Sequence, residues 1–121
     1  MKLSRISQTA LILFAIVVGV AFAGPSKSLT GSYIIGGKTL VDPPANEPKD
    51  THLQIFLTGD SAKDLYQSMR VKPVADQCLL DGSVTKFLGG TACTMHVGGK
   101  AYECSFSVNI RSQRIESAYV C

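Results

Sequence analysis

The sequence predicts a small α+β domain: one short helix packed on a four- to five-stranded antiparallel sheet, stapled by disulfides. Three observations predict it. A single helical period follows directly on an alternating segment, further alternating segments are separated by paired glycines, and four cysteines lie downstream of an export signal.

The first strand is read from Thr51 to Leu57, where Leu53, Ile55 and Leu57 alternate with His52, Gln54 and Phe56. Asp60 then suits a helix N-cap. Ala62, Leu65, Tyr66 and Met69 follow at i, i+3, i+4 and i+7, one apolar face of a helix. Arg70 is expected at its C-terminal end, where the helix dipole favours a cation, and Pro73 stops it. Val74 to Ser83 reads as an irregular loop. Strands are expected at Val84–Leu88, Thr91–Val97, Ala101–Ile110 and Ile115–Cys121, with turns at Gly89-Gly90, Gly98-Gly99 and Arg111–Arg114. On Ala101–Ile110, Tyr102, Cys104, Phe106, Val108 and Ile110 share one face. The order β-α-β-β-β-β places one helix on the apolar face of the sheet. Upstream, residues 24–50 read as a Pro/Gly-rich arm or linker, in which Tyr33 to Ile35 suit a short edge strand.

Residues 1–23 have the form of a cleavable signal peptide. Lys2 and Arg5 form the basic start, and Ala21-Phe22-Ala23 presents small residues at a cleavage site between Ala23 and Gly24. The apolar run from Ala10 to Ala23 is 14 residues long, against the ~20 that span a bilayer. The expectation is therefore a periplasmic or secreted product that meets the membrane only transiently, during export. Removing Lys2 and Arg5 reduces 12 Lys and Arg to ten, against nine Asp and Glu, for a net charge of about +1. Such a scattered, near-neutral distribution argues against a nucleic-acid partner, which needs a concentrated basic field.

Cys78, Cys93, Cys104 and Cys121 are spaced by 15, 11 and 17 residues. An even number in a small exported chain reads as two disulfides, and the absence of C-x-x-C argues against redox or zinc use. A two-residue turn at Gly98-Gly99 places Cys93 directly opposite Cys104. A turn centred on Ser112-Gln113 would place Cys121 opposite Cys104 as well, giving a row of three. Cys93–Cys104 with Cys78–Cys121 is the favoured pairing; Cys78–Cys93 with Cys104–Cys121 remains open.

No G-x-S-x-G, H-E-x-x-H or phosphate-cradling loop occurs, and no cofactor or metal is expected. His96 and Glu103 fall diagonally across the hairpin, as incidental surface pairs often do. The candidate partner-binding residues are Thr94, His96, Glu103, Ser105 and Ser107 on the outward sheet face, and Asp76, Gln77 and Asp81 on the Val74–Ser83 loop. The resulting expectation is a non-enzymatic exported protein-binding module, with an inhibitor or immunity role its most concrete form. The alternatives are a secreted effector or toxin, or a small enzyme or ligand carrier using the outer face.

The segment LTGDSAKDLY from Leu57 to Tyr66, with Thr91-Ala92-Cys93-Thr94 and Tyr102-Glu103-Cys104-Ser105-Phe106, resembles a group of small exported proteins of Gram-negative bacteria. The resemblance spans about residues 53–110. It implies a shared fold and a bridge between Cys93 and Cys104, and it carries over no functional residue.

Overall fold

A computed structural model describes residues 24–121. The signal peptide, with its cleavage site up to Ala23, lies outside the described residues. The chain runs through strands β1 (Gly31–Gly36) and β2 (His52–Thr58), helix α1 (Gly59–Ser68), then β3 (Val74–Ala75), β4 (Val84–Leu88), β5 (Thr91–Met95), β6 (Tyr102–Asn109) and β7 (Arg114–Glu116). All seven strands belong to one antiparallel sheet in the order β1-β2-β6-β5-β4-β3, with β7 also on β6. The α+β class stands, and the sheet is wider than the four to five strands expected. The edge strand around Tyr33–Ile35 is part of it, so the sheet begins within the segment read as an arm.

Strand β6 organises the sheet. One edge pairs with β2 along Glu103–Asn109. The other is shared: β5 takes Tyr102–Ser105 and β7 takes Ser107–Asn109. This division corrects the three-cysteine row. Cys93 does face Cys104, across a Cα–Cα distance of 4.0 Å, the close approach of a non-hydrogen-bonded antiparallel pair. Cys121 cannot face Cys104, because β5 already occupies that edge. The turn before β7 is also centred one residue earlier than expected. Asn109 Oδ1 accepts the backbone N–H groups of Arg111 and Ser112, and Gln113 takes a left-handed φ of 58°. After Glu116 the chain leaves the sheet as a strap, residues 117–121, rather than continuing as a strand, and Cys121 bonds to Cys78. The pairing is Cys93–Cys104 with Cys78–Cys121.

The hairpin between β5 and β6 has the expected register but not the expected tight turn. Val97–Gly99 form a 3-10 turn, closed by the Gly99 N–H on the His96 carbonyl and the His96 N–H on that of Ala101.

Helix α1 packs over one end of the sheet, where Ala62, Tyr66 and Met69 meet Leu57, Cys93 and Cys104. Cys104 Sγ lies 3.4 Å from the Ala62 carbonyl oxygen; a disulfide sulfur carries no hydrogen, so this is close packing. Two details of the helix differ from expectation. Asp60 lies in the first turn instead of capping it, the N-cap being Thr58. The helix ends at Ser68, before Arg70, and its C-terminal cation comes from β4: Lys86 Nζ donates to the Tyr66 and Met69 carbonyls at 2.9 and 3.0 Å and sits 4.4 Å from the Tyr66 ring centroid. An ammonium there satisfies carbonyls that a helix end leaves unpaired.

Candidate functional site

The sheet has two faces, and the structure treats them differently from the simple picture of one packed and one open. On the face opposite the helix, the strap and the loop between β1 and β2 cover much of the surface. Ala118 is buried against this face, and Tyr119 meets Phe87 edge-on at 5.2 Å between centroids. Of the candidate partner-binding residues, Thr94, Ser107 and Asp76 are buried, Ser105 is half-buried, and Gln77, Asp81 and Glu103 are exposed. His96 Nε2 reaches Glu103 Oε2 at 3.1 Å, with the Glu103 side chain 65% exposed. That pair lies on the surface, with Asp81 near enough to interact with His96 through charge.

Asp76 anchors the strap. Its Oδ1 accepts the N–H groups of Cys78 and Leu79, each at 2.9 Å. Its Oδ2 accepts the Thr85 hydroxyl at 2.6 Å and the Tyr119 hydroxyl at 2.9 Å. An ionised carboxylate accepts only, so Thr85 has given its one hydrogen away and must accept from Thr94, 2.7 Å distant. Burial pushes the Asp76 pKa up, but the bonds from Thr85, Leu79, Tyr119 and Cys78 outweigh it and hold the carboxyl at about 2. The donors fill both oxygens, so this network is closed and holds the fold. On the exposed loop tip, Asp81 Oδ1 accepts the Ser83 N–H at 2.9 Å, and hydrogen bonds from Ser83 lower the Asp81 pKa.

Farther along the same face is a polar cavity of about 430 Å³ lined by Lys38, His52, Gln54, Ser107, Asn109, Glu116 and Ser117. The register builds it: Gln54, Ser107 and Glu116 form one cross-strand row, and His52 and Asn109 belong to the next. His52, which alternates with the apolar residues of β2, is only 5% exposed. Its Nδ1 is 2.7 Å from Thr51 Oγ1 and its Nε2 is 3.0 Å from Glu116 Oε2. Hydroxyl, imidazole and carboxylate stand in the order of a nucleophilic triad, yet Thr51 does not line the cavity. The chain positions Glu116, whose Oε1 also accepts from Asn109 at 3.1 Å. The bonds from Asn109 and His52 lower the Glu116 pKa and keep the carboxylate charged. Only the sheet register, together with the loop carrying Gly37, could have marked these residues as a group; Gln54 Nε2 donates to the Gly37 carbonyl at 3.0 Å.

The helix-side face carries the other unusual surface. Helix α1 has ten residues, about 15 Å of helix, and covers only the end near Leu57 and Cys104. From there two apolar cross-strand rows continue along the face: Tyr33–Ile55–Phe106, whose Ile55 and Phe106 still pack against the core cluster, and Ile35–Leu53–Val108–Ile115 beyond it. Tyr33 is 70% exposed, Ile35 51% and Ile115 54%. Leu29, Tyr33, Leu53 and Ile55 line an apolar cavity of about 350 Å³ at this edge. Strand β1 is the edge strand there and contains no charged residue and no proline, so it lacks the usual devices that discourage further pairing. The hydrogen bond from the Thr58 N–H to the Thr30 carbonyl sets the phase. Ser32 and Ile34 bond inward to β2, and Gly31, Tyr33 and Ile35 turn their backbone groups outward.

Comparison of the chain with family models, with curated proteins and with solved structures finds no match. No helix among the described residues is long and apolar enough to cross a membrane.

Proposed function

We propose that this chain is an exported, non-enzymatic module that binds another protein through its uncovered apolar sheet face and the β1 edge. The carrying observation is the apolar row Ile35–Leu53–Val108–Ile115, continuous across β1, β2, β6 and β7, with exposed Tyr33 beside it. Large contiguous apolar surface is uncommon on monomers and marks interaction sites. An extended segment of the partner would pair with the outward backbone groups of Gly31, Tyr33 and Ile35. Its alternate side chains would enter the apolar cavity beside Leu29 and Leu53. Two disulfides support the exported setting. An inhibitor- or immunity-type role is the most concrete form of this reading.

The test compares capture of partners from an extracellular or periplasmic extract by the parent, by I35K and by Q77A. Burying a half-exposed isoleucine contributes about 1 kcal/mol, and placing an ammonium in the interface adds to the loss, so I35K should bind at least about tenfold more weakly. Q77A, on the far loop, should bind as the parent does. Sedimentation of the purified chain provides the control. A partner lost equally in I35K and Q77A, or a tight self-dimer abolished by I35K, would overturn the reading.

A further inference from the structure

The polar cavity on the opposite face is independent of that docking surface, and its chemistry points to a small ligand. Ser107 is one of its lining residues. It is 4% exposed, and its Oγ is a buried side-chain atom without a hydrogen-bond partner among the described residues. An unpaired buried hydroxyl carries a desolvation cost that a ligand can relieve. The neighbouring groups are already positioned. His52 and Asn109 hold Glu116 from two sides, at 3.0 and 3.1 Å, and each of its oxygens retains acceptor capacity. Lys38 stands at the rim and forms no ion pair among the described residues. The cavity therefore brings together one fixed anion, one cation near enough to help keep it charged and, buried between the strands, one unpaired hydroxyl.

We infer that this cavity binds a small zwitterion of the amino-acid or dipeptide class. The ligand's carboxylate would meet Lys38 and the Ser107 hydroxyl, and its ammonium would meet Glu116. A simple anion would meet the Glu116 charge, and a simple cation would meet Lys38. A molecule carrying both charges satisfies each without leaving either unpaired. A cavity of about 430 Å³ has room for one such molecule with ordered water.

The experiment titrates the folded, disulfide-intact chain with L-alanine and glycylglycine, following backbone amide resonances. Acetate, ethylammonium and D-glucose are the comparison probes. The expected result is saturable shifts at Lys38, Ser107 and Ser117 with the two zwitterions, and much weaker effects from acetate and ethylammonium. S107A should weaken zwitterion binding about fivefold, the worth of one hydrogen bond, and K38Q should remove the preference over ethylammonium. S107A should also unfold at the same or slightly higher urea concentration than the parent, because it loses no hydrogen bond within the protein. A clear loss of stability in S107A would assign the hydroxyl a structural partner and overturn the inference. Saturation by glucose, acetate binding equal to that of alanine, or no saturable shift at tens of millimolar zwitterion would overturn it too.

Discussion

Asp76→Asn tests the closed network beneath the strap. The carboxylate accepts two N–H and two O–H bonds while only 5% exposed. Its pKa is about 2 against an ordinary 3.8, a gap equivalent to about 2 kcal/mol of folding free energy. Because the folded value is depressed, that stability is present in full above the unfolded value. It is lost as pH falls through about 2. Asparagine retains one acceptor oxygen for Cys78 and Leu79 but turns an NH₂ toward the donors Thr85 and Tyr119. The expected cost at pH 7 is about 2–4 kcal/mol, combining the lost charge-assisted bonds with donors left unpaired. Urea unfolding with disulfides intact, run from pH 7 to pH 2, supplies the measurement. Parent stability should fall with acid more steeply than that of D76N, by about 2 kcal/mol across the window. Tyr119→Phe provides a milder variant should D76N fail to fold: it removes one of the four bonds and should cost about 1 kcal/mol. Parallel pH profiles for parent and D76N would refute the assignment, since the linkage then resides elsewhere.

The two disulfides should differ in worth by loop length. Cys93–Cys104 closes a separation of 11 residues and Cys78–Cys121 one of 43, so chain entropy assigns them about 3 and about 4 kcal/mol. Urea midpoints of the paired alanine variants check the order, and a larger loss for C93A/C104A would show that core packing outweighs loop closure. Lys86→Met keeps the apolar stem but removes two bonds to helix carbonyls and the contact with the Tyr66 ring. It should cost about 1–2 kcal/mol and fray the last turn of α1, seen as faster amide exchange at Tyr66 to Met69; unchanged exchange would remove Lys86 as the helix cap.

Local pattern was readable where neighbours in sequence are neighbours in space. Alternation placed Cys104, Phe106 and Val108 on one face of β6, and the glycines at 98 and 99 set the β5–β6 register that opposes Cys93 and Cys104. One failure is local, and the others involve information carried by distant segments. The turn before β7 looked centred on Ser112-Gln113, but the Asn109 side chain draws it back one residue; an asparagine entering a turn was the available signal. Nothing local shows that β5 and β7 divide one edge of β6. His52 and Gln54 have the polarity of a solvated phase, yet both are buried, and Gln54 is bonded to the loop at Gly37. Among the candidate residues, Ser107 lies on the outward sheet face as expected from alternation, but it is buried there. The cavity that contains it also requires Lys38, His52 and Glu116 from three separate segments.

The uncovered apolar face shows how far such reasoning extends. Alternation states which residues share a face but not whether anything covers them, and here the distinction follows from lengths. Four strands at about 4.8 Å spacing make a surface nearly 20 Å wide. One ten-residue helix, about 10 Å across with its side chains, covers only part of that width and only one end of the strands. The described residues contain no second α-helix to lie on the remainder, because the segments after Pro73 all belong to the sheet, its turns or the strap. An apolar phase on β1, β2, β6 and β7 without a matching amphipathic helix is an unbalanced inventory. On β1, exposed apolar side chains lie on both sides, Ile34 at 52% on one and Tyr33 and Ile35 on the other, with Ser32 beside Ile34. A strand inside a larger sheet carries apolar side chains on both faces, and this is the composition that the proposed pairing at the β1 edge would use.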